Sequence, residues 1–299
     1  MKFAFYPGCS LESTAWDFAA STRAVCAALD LELTDVEDWS CCGSTPAHAS
    51  NTTLAVALPV LNLQKAEQSG LPVLTSCAAC YARLRMANHK VATDKAERSR
   101  AERVTGAPYE GQVPIHHVLD VLANQIGPRR LRDRVTQPLS GLKVACYYGC
   151  LLSRPPEVVA FDDAENPTCM EDVLEAAGAT PVKWPFRTEC CGAGLALTHT
   201  DVVSRLAERL VAMAHGAGAD CIAVACPMCQ TNLEMRQPRT SESNGRLSPM
   251  PVAYVTQLLG LALGLAPRDL GLRALAVSPL PRLRQDLPQL PAGGEHHGV

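Results

Sequence analysis

Cysteine is the residue type that best equips this sequence for chemistry, with 14 cysteines among 299 residues. Ten of them form two sets in the same order: a single cysteine, an adjacent pair, then a C-x-x-C. The first set is Cys9, Cys41, Cys42, Cys77 and Cys80, and the second is Cys150, Cys190, Cys191, Cys226 and Cys229. From the adjacent pair to the last cysteine, an offset of 149 residues relates one set to the other. A repeat of this length indicates a duplicated domain.

Three kinds of site compete as explanations for each set of five cysteines. A structural zinc ion takes four tetrahedral ligands, so five cysteines exceed what it needs. A catalytic dithiol would use the C-x-x-C and would leave the adjacent pair unexplained in both halves. An iron–sulfur cluster takes thiolate ligands, and an adjacent pair can reach two of its irons. The residues favour the cluster, with zinc and a dithiol open as alternatives.

Composition and charge narrow the class of protein. A hydrophobic content of 47% allows a sizeable core, and a net charge of −3 argues against a strongly basic nucleic-acid binder. No apolar run reaches the roughly 18 residues of a membrane span, and the N-terminus lacks the apolar core of a signal peptide. Because disulfides are rare in the reducing cytosol, such a dense cysteine set there is expected to bind metal or to be catalytic. We expect a cytoplasmic protein with no membrane span and no nucleic-acid partner.

Short β-prone runs lead into the cysteines of both halves. These runs are residues 3–6, 73–75, 144–148 and 222–225. Helical patterns lie between them, including a long helix for which Asp201 is the expected cap. Strands alternating with helices predict an α/β fold with parallel strands, whose carboxyl ends gather ligands. The expected architecture is two duplicated domains related by a pseudo-twofold axis, each with a small parallel sheet flanked by helices.

The repeat also suggests how the chain is divided. Residues 1–127 and 142–266 are the two expected cluster-binding domains, and the intervening segment 128–141 is the expected linker. The Pro-rich residues 267–299 lie beyond the repeated pattern and are expected to form a loosely ordered tail.

The motifs around the cysteines resemble the duplicated CCG domain of the catalytic B subunit of heterodisulfide reductase. The resemblance extends to about residue 265 and includes FYPGCS, SCCGSTPAH, TSCAACYARL, YYGCLLSRPPEV, FDDAENPT, WPFRTECCGAG, ACPMCQTNL and PVAYVTQLLGLALG. It implies one noncubane [4Fe–4S] cluster on each set of five cysteines. It also implies an oxidoreductase that clamps a disulfide between two clusters, so that each half of the substrate leaves as an iron-bound thiolate.

The same resemblance implies partner subunits. In the family, a ferredoxin-like subunit of the C type with cubane [4Fe–4S] clusters delivers electrons, and a flavin subunit of the A type feeds it. This chain has no G-x-G-x-x-G after a strand and no P-loop, which favours electrons arriving from outside. A small-molecule disulfide is the expected substrate, but the sequence specifies neither its identity nor the direction of the reaction.

A non-catalytic function is the alternative hypothesis. The chain is also similar to CCG-domain proteins that serve as electron-transfer subunits of quinone-linked or sulfur-oxidising dehydrogenase complexes. Those proteins often carry a fused ferredoxin stretch with C-x2-C-x2-C-x3-C-P runs. This sequence has no such run, which favours a separate subunit of the heterodisulfide reductase type.

Four cysteines lie outside the repeated pattern. They are Cys26, Cys146, Cys169 and Cys221. We expect all four to behave as small buried hydrophobic residues. Cys146 precedes Cys150 by four residues, which in a strand would place the two on one face and Cys146 next to the site.

A few polar residues are candidates for tuning the sites. His48 and His199 follow the two Cys-Cys-Gly turns, and Arg154 is a candidate for facing an anionic substrate group. His116 and His117 precede an apolar helix, a place that Tyr254 occupies in the second half, so one of the two histidines is expected to be structural. Because the cofactor would carry the chemistry, no catalytic residue is assigned beyond the cluster ligands.

Overall fold

The computed structural model describes residues 1–44, 46–237 and 249–281, which form two parallel β-sheets flanked by helices. The strands are β1 (Lys2–Phe5), β2 (Glu32–Asp35), β3 (Val73–Thr75), β4 (Ile115–His117), β5 (Lys143–Tyr147), β6 (Thr180–Pro181), β7 (Cys221–Val224) and β8 (Val252–Tyr254). Each sheet has four strands, in the orders β2-β1-β3-β4 and β6-β5-β7-β8. Neighbouring strands run parallel in both sheets. The predicted α/β class is confirmed.

Helices connect the strands and cover the sheets. They are α1 (Gly8–Leu11), α2 (Trp16–Ala28), α3 (Pro46–Ser50), α4 (Thr52–Glu67), α5 (Ala78–Thr93), α6 (Lys95–Thr105), α7 (Val118–Asp120), α8 (Pro128–Arg134), α9 (Pro156–Val159), α10 (Cys169–Ala176), α11 (Thr200–Gly216), α12 (Pro227–Met235) and α13 (Val255–Ala262). A π-helical segment, Val121–Ile126, continues α7. In the described part of the chain, no helix combines the length and the apolar character needed to cross a membrane.

The strands that lead to the cysteines lie within one residue of their predicted positions. β3 covers the predicted residues, while β1, β5 and β7 each begin and end one residue earlier than expected. β3 and β7 are buried along their whole length, as expected for central strands with helices on both faces. The hydrophobic runs therefore position the cysteines at the carboxyl edge of each sheet.

Helix α11 is amphipathic, but the stripe expected from the sequence, Val202, Leu206, Leu210 and Met213, is only partly right. The buried residues are Val203, Ala207, Leu210, Val211 and Ala214, and Met213 is exposed. The expected cap is wrong, because the helix begins at Thr200 and the cap position is His199, with no capping hydrogen bond from its side chain. Asp201 lies inside the first turn, where its carboxylate pairs with Arg205 at 3.2 Å. A carboxylate there still favours the positive end of the helix dipole.

Each half of the chain packs a late helix on an early helix of the other half. α13 of the second half packs on α2 of the first. At this contact Tyr254 stacks on Phe18 with ring centroids 3.9 Å apart, and Ser21 Oγ lies 2.7 Å from Thr256 Oγ1. Reciprocally, the π-helical continuation of α7 packs on α10, the counterpart of α2. The exchange follows the expected pseudo-twofold relation and gives the halves a shared, buried interface.

The segment expected to be a linker is packed. Residues 128–141 begin with α8, and Leu131 and Leu139 are fully buried. Leu131 is buried because α8 packs against α10 of the second half. The segment therefore belongs to the interface between the halves.

The beginning of the expected tail is also packed, so the expectation of loose order is wrong for residues 267–281. Leu270 and Leu272 are buried against the body of the protein. The carboxylate of Glu234 accepts a hydrogen bond from the backbone N–H of Ala276 at 2.8 Å. Burial of the leucines and this bond hold the segment in place. The remainder of the expected tail, residues 282–299, lies outside the described residues.

Candidate functional site

The first set of cysteines gathers at the carboxyl ends of β1 and β3. Cys9 lies in α1 just after β1, Cys77 is the cap residue of α5, and Cys80 lies in the first turn of that helix. Cys41 and Cys42 lie in the irregular segment after β2. The Sγ atom of Cys41 is 3.8 Å from that of Cys9, and the Sγ atom of Cys42 is 3.5 Å from that of Cys80. The fold thus brings cysteines from three separate segments into contact.

The second set repeats this arrangement at β5 and β7. Cys150 follows β5, and Cys226 is the cap residue of α12, whose first turn holds Cys229. The Sγ atoms of Cys150 and Cys190 are 3.8 Å apart, and those of Cys191 and Cys229 are 3.7 Å apart. The two sets therefore share both their spacing in the chain and their sulfur contacts.

A glycine before the first cysteine of each set brings backbone against sulfur. Gly8 and Gly149 have positive φ angles of 68° and 66°. A Cβ atom added to Gly8 would lie 2.8 Å from Sγ of Cys80, and one added to Gly149 would lie 3.1 Å from Sγ of Cys229. Glycine permits both the left-handed backbone and this close approach.

Two buried tyrosines fix the segment that carries the adjacent pair. The hydroxyl of Tyr6 donates to the carbonyl oxygen of Ser40 at 2.6 Å, and the hydroxyl of Tyr147 donates to that of Glu189 at 2.6 Å. Ser40 and Glu189 directly precede the cysteine pairs. Sequence reasoning missed these tyrosines, although each lies three residues before the first cysteine of its set. That shared spacing was the signal that could have identified them.

Each set has a buried side and an open side. The buried cysteines are Cys42, Cys77, Cys80, Cys191, Cys226 and Cys229. Cys9, Cys41 and Cys190 are exposed, and Cys150 is partly exposed. A group held by either set would therefore be anchored in the protein and reachable from solvent.

The two sets meet at the interface between the halves. The buried thiols of Cys77 and Cys226 interact directly, although they belong to different sets. Their interaction raises the pKa of the Cys77 thiol and lowers that of Cys226. The two sites are therefore direct neighbours.

A cleft of about 310 Å³ lies between the halves beside this contact. Its cysteine wall consists of Cys150, Cys190, Cys191, Cys226 and Cys229. The facing wall, from the first half, includes Ala78, Ala79, His48 and Arg83. A guanidinium N–H of Arg83 donates to Nδ1 of His48 at 3.1 Å. The cleft is thus a small chamber bounded by sulfur on one side and by a cation on the other.

Hydrogen bonds among the thiols concentrate negative charge on a few sulfurs. The adjacent thiol of Cys41 lowers the pKa of Cys42 to about 3, and the pKa of Cys41 is raised in turn. In the second half, the bond from Cys150 lowers the pKa of Cys190 to about 6. The backbone N–H of Gly192, 3.3 Å from Sγ of Cys190, lowers it further. Thiolate is the form of cysteine that binds metals.

The donor chemistry suits an iron–sulfur cluster. In residues 1–44, 46–237 and 249–281, no group of three or more Cys, His, Asp or Glu side chains is arranged to hold a single metal ion. A cluster spreads its thiolate ligands over several irons and does not require convergence on one point. Five free thiols per set, with glycine backbone against the sulfurs, fit a group of that kind.

Of the polar candidates, only His48 borders the cleft. Burial and the neighbouring Arg83 lower the pKa of His48, so this histidine is neutral at pH 7. His199 is exposed at the start of α11. Arg154 pairs with Glu165 at 2.9 Å on the surface, so its guanidinium already has a carboxylate partner.

His117 is the structural member of the histidine pair. Its Nδ1 accepts a backbone hydrogen bond at the start of α7, and its Nε2 lies 2.8 Å from the carbonyl oxygen of Ser76. Burial lowers the pKa of His117 to about 4. Tyr254 occupies the equivalent place as the cap residue of α13. His116 instead pairs with Asp120 at 2.8 Å.

The four additional cysteines are all buried, as expected. Burial raises the pKa of both Cys26 and Cys221 to about 12, so these thiols stay protonated. Cys146 of β5 lies diagonally across from Cys221 of β7, in the middle of the second sheet. β5 ends at Tyr147, so Cys150 lies outside the strand and the expected strand face shared by Cys146 and Cys150 does not form. The side chain of Cys146 is fully buried in the sheet.

The family model for the CCG cysteine-rich domain matches the chain twice, over residues 3–85 and 144–234. Each matched range contains one of the two sets of five cysteines.

Curated relatives match along most of the chain. An 8-methylmenaquinol:fumarate reductase membrane anchor subunit of Wolinella succinogenes is 32% identical, over 91% of this chain and 95% of the relative. The B subunit of a ferredoxin/F420H2-dependent CoB–CoM heterodisulfide reductase of Methanosarcina acetivorans is 31% identical, over 92% of this chain and 94% of the relative. A protein of Archaeoglobus profundus, named as similar to the B subunit of heterodisulfide reductase, is 30% identical, over 89% of this chain and 92% of the relative.

A solved structure shares the fold. The crystal structure of a hypothetical protein from Helicobacter pylori matches with a TM-score of 0.72 and 12% identity. The match covers 93% of this chain and 52% of that one, so the present chain spans about half of the solved protein.

Proposed function

This chain belongs to the CCG cysteine-rich domain family, and we propose that it is the catalytic iron–sulfur subunit of a heterodisulfide-reductase-like complex. The proposed reaction consumes one disulfide, two electrons and two protons and yields two thiols, or runs in reverse. The observation that carries the proposal is the contact of the two cysteine sets through Cys77 and Cys226, beside a cleft between the halves. Two one-electron sites match the electron count of a disulfide: the second set lines the cleft, and the first set adjoins it through Cys77.

The proposed cofactors are two noncubane [4Fe–4S] clusters. The proposed ligands are Cys9, Cys41, Cys42, Cys77 and Cys80 for one cluster, and Cys150, Cys190, Cys191, Cys226 and Cys229 for the other. Bound there, the clusters supply one-electron transfer and iron with affinity for sulfur. The chain itself contributes the thiolates, the close backbone at Gly8 and Gly149, and the tyrosines that hold each adjacent pair.

The cleft is the proposed binding place of the disulfide. Small or apolar side chains such as Ala79 and Met228 line it and restrict water. Arg83 and His48 supply its polar wall. No side chain is assigned as a general acid, and the two protons come from solvent through the open side of the cleft.

Electrons are proposed to come from partner subunits. A ferredoxin-like [4Fe–4S] subunit of the C type and a flavin subunit of the A type are the proposed donors, as the relation to the B subunit of heterodisulfide reductase suggests. The cytoplasm is the proposed compartment, because free thiols persist there.

A second candidate function is electron transfer in a quinone-linked or sulfur-oxidising dehydrogenase complex. The relative from Wolinella succinogenes favours it, since the name of that protein refers to a methylmenaquinol:fumarate reductase. In this case the two sites would pass electrons, and the cleft would hold no disulfide.

Steady-state turnover separates the two candidates. The full chain, purified anaerobically with its iron, is supplied with an artificial one-electron donor and offered a panel of disulfides and menaquinone analogues. Donor oxidation that depends on disulfide and releases two thiols per two electrons supports the proposal. Rapid exchange with quinones and no thiol release would favour the electron-transfer function. A Cys221→Ala variant serves as the control, since this thiol is buried in the sheet.

A further inference from the structure

The two cysteine sets are not chemically equivalent, because the residues around them differ in charge. The offset that relates the sets also relates Arg83 on α5 to Asn232 on α12, each three residues after the last cysteine of its set. It likewise relates Ser40 to Glu189, each directly before an adjacent pair. The structure confirms the second equivalence, since a tyrosine hydroxyl binds the carbonyl of each residue at 2.6 Å.

Asn232 serves its set as a neutral hydrogen-bond donor. Its Nδ2 atom lies 3.6 Å from Sγ and 3.3 Å from the carbonyl oxygen of Cys191. The side chain is buried, so this contact is shielded from water. The second set is therefore supported at this position without any charge.

Arg83 places a permanent positive charge at the equivalent position of the first set. Its guanidinium borders the cleft, donates to Nδ1 of His48, and lies near Cys42 of its own set and near Cys150 on the facing wall. No carboxylate pairs with it in the ranges that the structure covers, and its Nε is buried without a hydrogen-bond partner. A half-buried guanidinium with no counter-ion acts strongly on nearby charge, because little solvent screens it.

The charge at the second set has the opposite sign. The carboxylate of Glu189 is an electrostatic neighbour of Cys190. Glu189 is exposed, so solvent weakens its influence relative to that of Arg83. Across the two pairs of equivalent positions, the first set has one positive residue and the second set one negative residue.

We propose that the two sites form an unequal redox pair, in which Arg83 holds the reduction potential of the first site above that of the second. Reduction adds negative charge, so a nearby cation favours the reduced state and a nearby carboxylate opposes it. The first electron therefore resides on the first site. This inference rests on the proposed function only in that each set must hold an iron–sulfur cluster.

Potentiometric titration of the iron-loaded full chain, followed by electron paramagnetic resonance, measures this directly. The unmodified protein should show two midpoint potentials. Arg83→Asn makes the first site resemble the second and should lower the higher midpoint. We expect about a tenfold change in the one-electron equilibrium constant, which is about 59 mV for a one-electron couple. The lower midpoint should move less.

Matched variants identify the cause. Arg83→Lys keeps the charge and should keep the higher midpoint close to its original value. Glu189→Ser should raise the lower midpoint by a smaller amount. Arg103→Gln removes the same charge from the exposed face of α6 and should move neither midpoint.

The outcomes that overturn the inference are distinct from a failure of the proposed function. One common midpoint, or a larger shift of the lower midpoint in Arg83→Asn, would overturn it. If Arg83→Asn loses iron, Glu189→Ser decides alone, and an unmoved lower midpoint would count against the inference. A protein with no iron and no sulfide would instead refute the proposed cofactors. Clusters that show two midpoints but reduce no disulfide would refute only the proposed reaction.

Discussion

The buried thiols of Cys77 and Cys226, which are equivalent residues of the two halves of the chain, interact directly with each other. Equivalent residues can touch only where they lie beside the axis that relates them, so the pseudo-twofold axis passes between these two sulfurs. Both thiols are buried and each precedes a helix, α5 or α12, whose positive end favours the thiolate form. The two sites that the duplication produced therefore lie side by side and adjoin at Cys77 and Cys226.

The first prediction concerns metal content. Protein purified without oxygen should carry about eight irons and eight acid-labile sulfides per chain, as two four-iron clusters require. Iron and sulfide assays on the purified protein measure this. A Cys26→Ala, Cys169→Ala, Cys221→Ala variant should keep the same content, because these thiols are buried in the core. About two zinc ions with no sulfide would contradict the cluster assignment, and loss of half the iron in the triple variant would show a wrong ligand set.

The second prediction concerns the glycine backbone at the first site. Gly8→Ala should lose about half of the iron, because its Cβ would lie 2.8 Å from Sγ of Cys80. Gly70→Ala is a matched control, since Gly70 has a φ of 65° and an added Cβ meets nothing within 4 Å. Both variants should lose about 1–2 kcal/mol of stability from left-handed strain. Equal iron content in the two would show that the close approach to sulfur is unimportant.

The spacing of the cysteines and the hydrophobic runs was enough to predict the four strands that lead to the cysteines, β1, β3, β5 and β7, but not the outer strands of the two sheets, β2, β4, β6 and β8. It was not enough to predict what each helix packs against, because an apolar stripe shows that a face is buried and not which partner buries it. The packing of α13 on α2, across the two halves, was therefore not predicted. The burial of Leu131 and Leu270 was not predicted either. Their segments are rich in proline, glycine and arginine, and this composition suggested a loosely ordered chain.

The site itself was predictable where the repeat was visible. Applying the offset beyond the cysteines relates Arg83 to Asn232 and would have shown the difference in charge from sequence alone. The position of Arg83 across the cleft from the second set was not predictable, because it depends on how the halves dock. Tyr6 and Tyr147 could have been identified from the sequence, because each lies three residues before the first cysteine of its set.

The third prediction uses the buried carboxyl of Asp17 at the interface between the halves. Burial raises its pKa to about 6, and Gln257 Nε2 donates to its Oδ2 at 3.1 Å. The folded-state pKa lies above the unfolded value of about 3.9, so the carboxyl supports folding only while protonated. Its contribution is complete below about pH 4 and is lost as the pH rises through 6.

Asp17→Asn removes this dependence. The variant should equal the unmodified protein near pH 4 and exceed its stability by up to about 3 kcal/mol above pH 7. Anaerobic denaturant unfolding between pH 4 and 8, followed by circular dichroism, measures the difference. Asp133→Asn, at an exposed position of α8, should leave the pH dependence unchanged. Parallel curves for the Asp17 variant and the unmodified protein would show that Asp17 is ionised at no cost in the fold.

The fourth prediction tests whether turnover needs both sites, and the structure dictates which cysteines to change. Cys77 and Cys226 are unsuitable, because each touches the other set. The pair Cys42 and Cys80 is suitable, as their sulfurs lie 3.5 Å apart within the first set. In the second set, the equivalent sulfurs of Cys191 and Cys229 lie 3.7 Å apart.

Each double alanine variant should keep the spectrum of the untouched site and lose disulfide reduction. A disulfide needs two electrons and yields two thiolates, whereas one remaining site delivers one electron and can accept one sulfur. Cys42→Ala with Cys80→Ala and Cys191→Ala with Cys229→Ala should therefore fail alike, which a relay ending in one catalytic site would not predict. Turnover is measured with an artificial one-electron donor, so that partner subunits are not required. If either variant keeps more than about a tenth of the rate, a barrier increase below about 1.4 kcal/mol, then one site suffices and the two-site reaction is refuted.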